Sequence, residues 1–229
     1  MARHATRRGS SLPPPRSLRL FALPALLQRL ARGVTGPRRR GALAVRLLHA
    51  WEEVDAGELS ALLAASEPGW RRRACAPDPA QLEKAMQHST AVCAAYARVA
   101  DIRTFRETHG QGGGSDDAVV ERWLDGTGTL SGLDAKRRGD LRLVAFARVI
   151  SDEALVGIFH DTAIAAPVSQ SEVGREVVSS LVRVLADDYD IADIGVAMSP
   201  AHGDLQHAFN MSNFGPDEEE TLVMRYPAP

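Results

Sequence analysis

Leu141–Ala166 reads LRLVAFARVISDEALVGIFHDTAIAA. Two apolar runs of strand length, Leu141–Ile150 and Ala154–Ala166, flank the polar Ser151-Asp152-Glu153. Strand-forming residues interrupted by three turn formers predict an antiparallel hairpin. Downstream, Gly174–Asp187 places Val177, Val178, Leu181, Val184 and Leu185 on one helical face. Ile191–Met198 reads as a buried strand, Gly203–Asn213 as a short helix and Thr221–Tyr226 as a closing strand. The order β-β-α-β-α-β after residue 140 predicts an α/β (α+β) fold, a mixed central sheet with helices packed on it.

Upstream, Trp51–Ser66 carries Leu59, Leu62 and Leu63 at helical spacing, with Asp55 or Ser60 as cap and Pro68-Gly69 as terminator. Asp78–His88 predicts a second helix, with Asp78 as N-cap, Pro79 at the first position and Leu82, Ala85 and Met86 on its apolar face. Thr90–Val99 predicts a strand. Residues 102–140 then change character, with HGQGGGSDD and DGTGTLSGLDAKRRGD around one apolar island, Val119–Leu124. That composition predicts a flexible insertion between two strands.

Charge divides the chain in two. Residues 1–50 hold eleven arginines with no lysine and no acid, whereas residues 51–229 hold the other 16 basic residues and all 29 acids. An acid-free segment rich in Arg, Ser, Ala and Leu predicts a transit peptide over 1–50, disordered and removed from the mature protein, with a basic nucleic-acid-binding arm as the alternative. The apolar run Leu20–Leu27 is short and contains Pro24, which argues against a secretory signal. No stretch has the length of a membrane-spanning helix, and the remainder is acidic, so neither membrane nor nucleic acid is the expected partner. Cys75 and Cys93 fit no zinc or disulfide pattern.

The segments ELSALLAASEPGWRRR (58–73), DPAQLEKAMQHS (78–89), LVAFARVISDEALVGIFHD (143–161), the Val173-Gly174-Arg175 helix start and NFGPDEEETLVMRY (213–226) together resemble the plant and algal plastid branch of the GNAT N-acetyltransferase family. The resemblance covers about residues 53–226, interrupted by the insertion, and is most specific over Leu143–Asp152. It implies residues 51–229 as a GNAT domain, with acetyl-CoA as co-substrate and an amine as acceptor: a protein N-terminus, a lysine or a small molecule. It further implies a V-shaped opening between two central strands, the pantetheine arm along Thr162, Ala163, Ile164 and Ala165, and the pyrophosphate at the start of the next helix, on Val173, Gly174 and Arg175. A chloroplast location follows from the same resemblance, with mitochondrion as the alternative.

A helix N-terminus suits an anion because its first amides are unpaired and its dipole end is positive. The family loop, often Q-G-x-G-I-G-R, falls on Ser169-Gln170-Ser171-Glu172-Val173-Gly174-Arg175, where two of its glycines are Gln170 and Glu172. Ser169-x-x-Glu172 also has the spacing of a capping box, in which side chains would consume the donors a pyrophosphate needs. The family's proton-donating tyrosine in the last helix falls on Phe209. For the base, Asp161 and His160 are the candidates. Adjacent on a strand, they should point to opposite faces, and a structural role for both is the alternative. His202, Asp204 and His207 lack the further ligands a metal site needs, and Asp204 serves more simply as an N-cap. Two further readings stay open: an inactive GNAT-fold scaffold, favoured by Glu172 and Phe209, and a regulatory acyl-CoA binder. The sequence does not set the oligomeric state.

Overall fold

The computed structural model describes residues 43–66, 77–109, 121, 124, 140–191, 193–196 and 203–214. All lie in the unit spanning Gly33–Pro229. Five strands form one mixed sheet in the order β1-β2-β3-β4-β5, with helices flanking it. They are β1 (Val45–Leu48), β2 (Ala91–Arg98), β3 (Leu141–Ser151), β4 (Val156–Ile164) and β5 (Asp193–Val196). The first four pair antiparallel in sequence order, and β4 pairs parallel with β5. The helices are α1 (Ala56–Ser66), α2 (Pro79–Gln87), α3 (Val99–Thr108), α4 (Val173–Tyr189) and α5 (Gly203–Asn210).

The hairpin read from Leu141–Ala166 is present as β3 and β4. Its turn is closed by Asp152, whose Oδ1 accepts from the amides of Ala154, Leu155 and Val156 at 2.8–3.0 Å. Asp55 caps α1 by accepting from the Gly57 and Glu58 amides, and Asp78 caps α2 ahead of Pro79. Helix α4 packs on β2 and β3 through Val177, Val178, Leu181 and Leu185, all buried. A parallel β4–β5 pair needs a crossover, and α4 supplies it.

Two expectations are corrected. Residues 43–50 do not belong to a disordered leader: Val45–Leu48 forms β1, in register with Ala94–Ala97, and Leu43 is buried. The arginine-rich composition concealed a short apolar strand edged by Arg46. The insertion expected to begin flexibly at residue 102 begins as helix α3, with Ile102 and Phe105 in the core. Farther along, Leu124 is buried and Glu121 pairs with Arg103 and Arg106 at 2.8 and 3.2 Å. Most of 110–139, the leader up to residue 42, Cys75 and the closing strand Thr221–Tyr226 lie outside the described residues.

Candidate functional site

The site is built on the second half of β4. Among the described residues, pairing with β5 covers Val156–Phe159. Among the described residues, the outer edge of β4 from His160 to Ile164 has no strand beside it. Thr162, Ala163, Ile164 and Ala165, expected to meet a pantetheine arm, lie on this stretch or just after it. Part of their hydrogen bonding is already used. The Ala165 amide donates to Val144 O at 2.8 Å, and Ile164 O accepts from Ser66 Oγ at 3.0 Å.

Within this stretch β4 is bulged. Phe146 faces Ala163 and Arg148 faces His160, so Asp161 and Thr162 together oppose the single residue Ala147. Asp161 sits in the left-handed region at φ 43°, a conformation that Asp tolerates better than most side chains. Its Oδ2 accepts from Arg148 Nε at 2.6 Å, with the two side chains only 5 % and 14 % exposed. Arg148 Nη1 also donates to Ser89 Oγ at 3.3 Å. Arg148, cross-strand from His160, thus reaches across the bulge to Asp161. His160 itself is exposed.

A short 3₁₀ turn, Ala166–Val168, leads from β4 into α4. The expected capping box is absent. Glu172 occupies the N-cap position with a helical backbone and no side-chain cap bond. Ser171 serves locally instead: its Oγ donates to Val168 O at 2.6 Å and accepts from the Val173 amide at 3.3 Å. The Ser169 and Ser171 amides also bond within the turn. The Glu172 carboxylate pairs with Arg175 one helical turn on. Burial pushes the Glu176 carboxyl up, offset by Arg175 and reinforced by Glu172.

Ser169, Gln170, Ser171, Glu172 and Arg175 line one side of a cleft of about 40 Å³; Asp204, His207, Ala208 and Met211, on or just after α5, line the other. That space holds a few waters or one small anion. Arg175 Nε is buried at its edge with no hydrogen-bond partner among the described residues. Gly174 is required by packing: a Cβ there would collide with Ile164 Cδ1 and come within 2.9 Å of Ala208 Cβ. Val173 is buried beside it. Thus Val173 and Gly174 set the helix against β4 and α5, and Arg175 is the member of the predicted trio that borders the cleft.

Phe209 is fully buried, edge-on to Phe159 and Phe214 with ring centroids 5.1 and 5.0 Å apart. Asp204 lies in the first turn of α5 rather than at its N-cap. Sequence reading missed a separate polar group under α4. His49 Nε2 lies 3.1 Å from Ser180 Oγ, and burial depresses the His49 pKa. Nearby Cys93 is buried and its thiol is pushed up to about 12 by desolvation, partly offset by a hydrogen bond with Ser180. His49 stood in the presumed leader, so nothing in the sequence connected it to residues 93 and 180.

No family model matches the chain, and no curated protein does. Several solved structures resemble it. One is SA2161, a protein of unknown function from meticillin-resistant Staphylococcus aureus classed with the acetyltransferases; it is 12 % identical, with 81 % of this chain and 100 % of that one covered and a TM-score of 0.49. A second is an acetyltransferase assigned to the GNAT family from Xanthomonas campestris: 18 % identity, 82 % and 96 % coverage, TM-score 0.47. The ribosomal-protein-alanine N-acetyltransferase of Brucella melitensis is 14 % identical over 81 % of this chain and 100 % of that one, with a TM-score of 0.46.

Proposed function

We propose that the chain is a GNAT-type N-acyltransferase that moves an acetyl group from acetyl-CoA to an amine. The observation that carries this reading is the course of β4. After its described pairing with β5 over Val156–Phe159, the strand runs on through the bulge to Ile164 and leads by a short turn into the N-terminus of α4 beside Arg175. An extended arm ending in phosphates suits that path: a strand backbone for its amides, then a helix start for its anion. Arg175, with its unpartnered Nε, fits the phosphates; Glu172 opposes them.

Acetyl-CoA supplies an acyl group on a thiolate leaving group. His160, exposed on β4 beside the bulge, accepts the proton of the acceptor ammonium, as an imidazole does near neutral pH. The amine nitrogen then bonds the acyl carbon as the carbon–sulfur bond breaks, and the second proton of the nitrogen passes to water as the amide forms. Phe209 offers the thiolate no proton, so it leaves unaided by a side chain there, at a cost on the order of 10²-fold in rate. The acceptor is a protein N-terminus, a lysine or a small amine.

A scaffold without transfer activity is the second reading, favoured by the Glu172–Arg175 pair. Calorimetric titration of acetyl-CoA into the full chain, followed by thiol release with an amine mixture, separates the two. Binding with turnover supports the enzyme, and no binding supports the scaffold. The acid-free arginine-rich composition of residues 1–42 supports import into a chloroplast, or alternatively a mitochondrion. Because β1 belongs to the sheet, cleavage should fall before Leu43, not at residue 50. N-terminal sequencing of organellar protein tests this: an intact Met1 there overturns targeting by cleavage.

A further inference from the structure

The Arg148–Asp161 pair stands at the one place where β4 departs from regular pairing. Three observations coincide there. Asp161 and Thr162 share one partner across the ladder. Asp161 has a positive φ. Its nearly buried carboxylate is bonded at 2.6 Å by a nearly buried guanidinium. That guanidinium is itself fixed from a third direction by Ser89 Oγ, and the same hydroxyl donates to Ala85 O in the last turn of α2. The pair therefore ties the bulge of β4 to β3 and to the end of α2.

An isolated bulge with a non-glycine residue at positive φ costs energy and persists where surrounding contacts over-determine it. The Asp161 carboxylate is also engaged by the Arg148 guanidinium through Oδ2, which turns that oxygen toward β3. Both arguments assign Asp161 to shape, not to proton transfer. We propose that Arg148 and Asp161 are positioning residues that hold the β4 backbone at Asp161–Thr162 in its bulged form, so that a thioester lying along this edge meets His160. This rests on the transferase reading above.

The test uses the ease with which glycine and asparagine adopt positive φ. Asp161→Ala removes the carboxylate and leaves a Cβ that resists φ 43°. Turnover should fall roughly 30- to 100-fold, as expected for a misplaced reacting geometry, with acetyl-CoA affinity by calorimetry within about threefold. Asp161→Gly and Asp161→Asn should lose only about fivefold, since both accommodate the conformation unaided. Arg148→Met should resemble Asp161→Ala, and adding it to Asp161→Gly should cost little more. Hydrogen exchange over residues 159–165 gives a readout independent of activity. It should rise in Asp161→Ala and Arg148→Met and stay near wild type in Asp161→Gly.

Equal loss in Asp161→Gly, Asp161→Asn and Asp161→Ala would overturn the proposal and make the carboxylate a proton acceptor. A second large loss from Arg148→Met on the glycine background would overturn it too, by placing Arg148 on the substrate. Unchanged exchange in Asp161→Ala would show that the pair does not hold the bulge. If Asp161→Ala fails to fold, Arg148→Met against Asp161→Asn carries the same comparison. A wild-type chain that binds no acetyl-CoA defeats the transferase reading itself, and with it any positioning for transfer. That result is distinct from every variant outcome above.

Discussion

Glu172 and Arg175 pair with each other across the first turn of α4, where both border the cleft. The carboxylate occupies the cation that an anionic ligand would use and adds a negative charge of its own. Glu172→Gln removes the charge and keeps a helical backbone residue at a position whose φ is already helical. Acetyl-CoA affinity should rise by roughly three- to tenfold, a modest effect because both side chains are nearly half exposed and solvent screens them. Calorimetry at low and moderate salt checks it. Weaker binding by the variant would mean that Glu172 positions Arg175 for the ligand instead of competing for it.

Gly174 makes a prediction about packing. Gly174→Ala forces a methyl group against Ile164 and Ala208, with a buried neighbour on either side. Overpacking of this kind costs about 1–3 kcal/mol, although alanine improves intrinsic helix propensity by about 1 kcal/mol. The collision should win, because Ala208 can yield only by moving α5. Urea denaturation should show a lower midpoint at constant slope. An unchanged midpoint would mean that α5 shifts at little cost.

Phe209 is the position on which the sequence resemblance places a proton-donating tyrosine. Phe209→Tyr is nevertheless predicted to lower stability, not to raise turnover. The ring is fully buried between Phe159 and Phe214. A hydroxyl added without a partner costs about 1–3 kcal/mol. Thermal denaturation together with thiol release under saturating substrates tests both halves. A rise of tenfold or more in turnover would place the ring edge in the transfer site.

The hairpin, the long helix α4 and the two N-terminal helices were legible because each carries a period or a cap that local physics fixes: alternating apolar runs around Asp152, one apolar face on α4, and Asp55 and Asp78 at their helix starts. The site was less legible, because its features depend on partners distant in sequence. The bulge at Asp161 exists only in the pairing of β4 with β3, and Arg148 is thirteen residues away across that ladder. Ser169-x-x-Glu172 has the spacing of a capping box, yet the Glu172 carboxylate pairs with Arg175, and Ser171 rather than Ser169 accepts from a helix amide, that of Val173. Strand β1 was hidden by composition: its four residues add little to a segment counted by its arginines.

Leu124 tests how far the segment after α3 belongs to the core. It is 1 % exposed, its carbonyl accepts from Arg142 Nε at 3.1 Å, and nearby Glu121 pairs with two arginines of α3. Leu124→Ala should therefore cost about 2–5 kcal/mol, the range for a buried leucine that leaves a cavity. Replacing residues 111–136 by a Gly-Ser linker should cost at least as much. Chemical denaturation of the two variants checks this. A midpoint unmoved in both would return the segment to a dispensable insertion.

His49, next to strand β1, supplies a pH dependence. Burial lowers its pKa below the ordinary imidazole value of 6.5. Its neighbours act in both directions: a bond to the Val92 backbone and the charge of Asp188 raise it, and Arg183 lowers it. Desolvation is the largest influence, so the folded state holds the neutral imidazole more firmly than the unfolded chain does. The unfolded state then binds more protons over the interval below 6.5, and stability rises with pH across it. The contribution is fully present above the unfolded pKa. It is lost as the pH falls towards the depressed folded value, because the buried site disfavours the charged imidazolium. Glu176, whose carboxyl is raised by burial, responds in the opposite direction at lower pH, because the folded state retains its proton longer. His49→Gln keeps a polar group near Ser180 and removes the titration. Melting temperatures measured from pH 5 to 8 should climb with pH in the wild-type chain and flatten in the variant, most visibly below 6.5. Parallel curves for the two proteins would show that the buried imidazole does not set this slope.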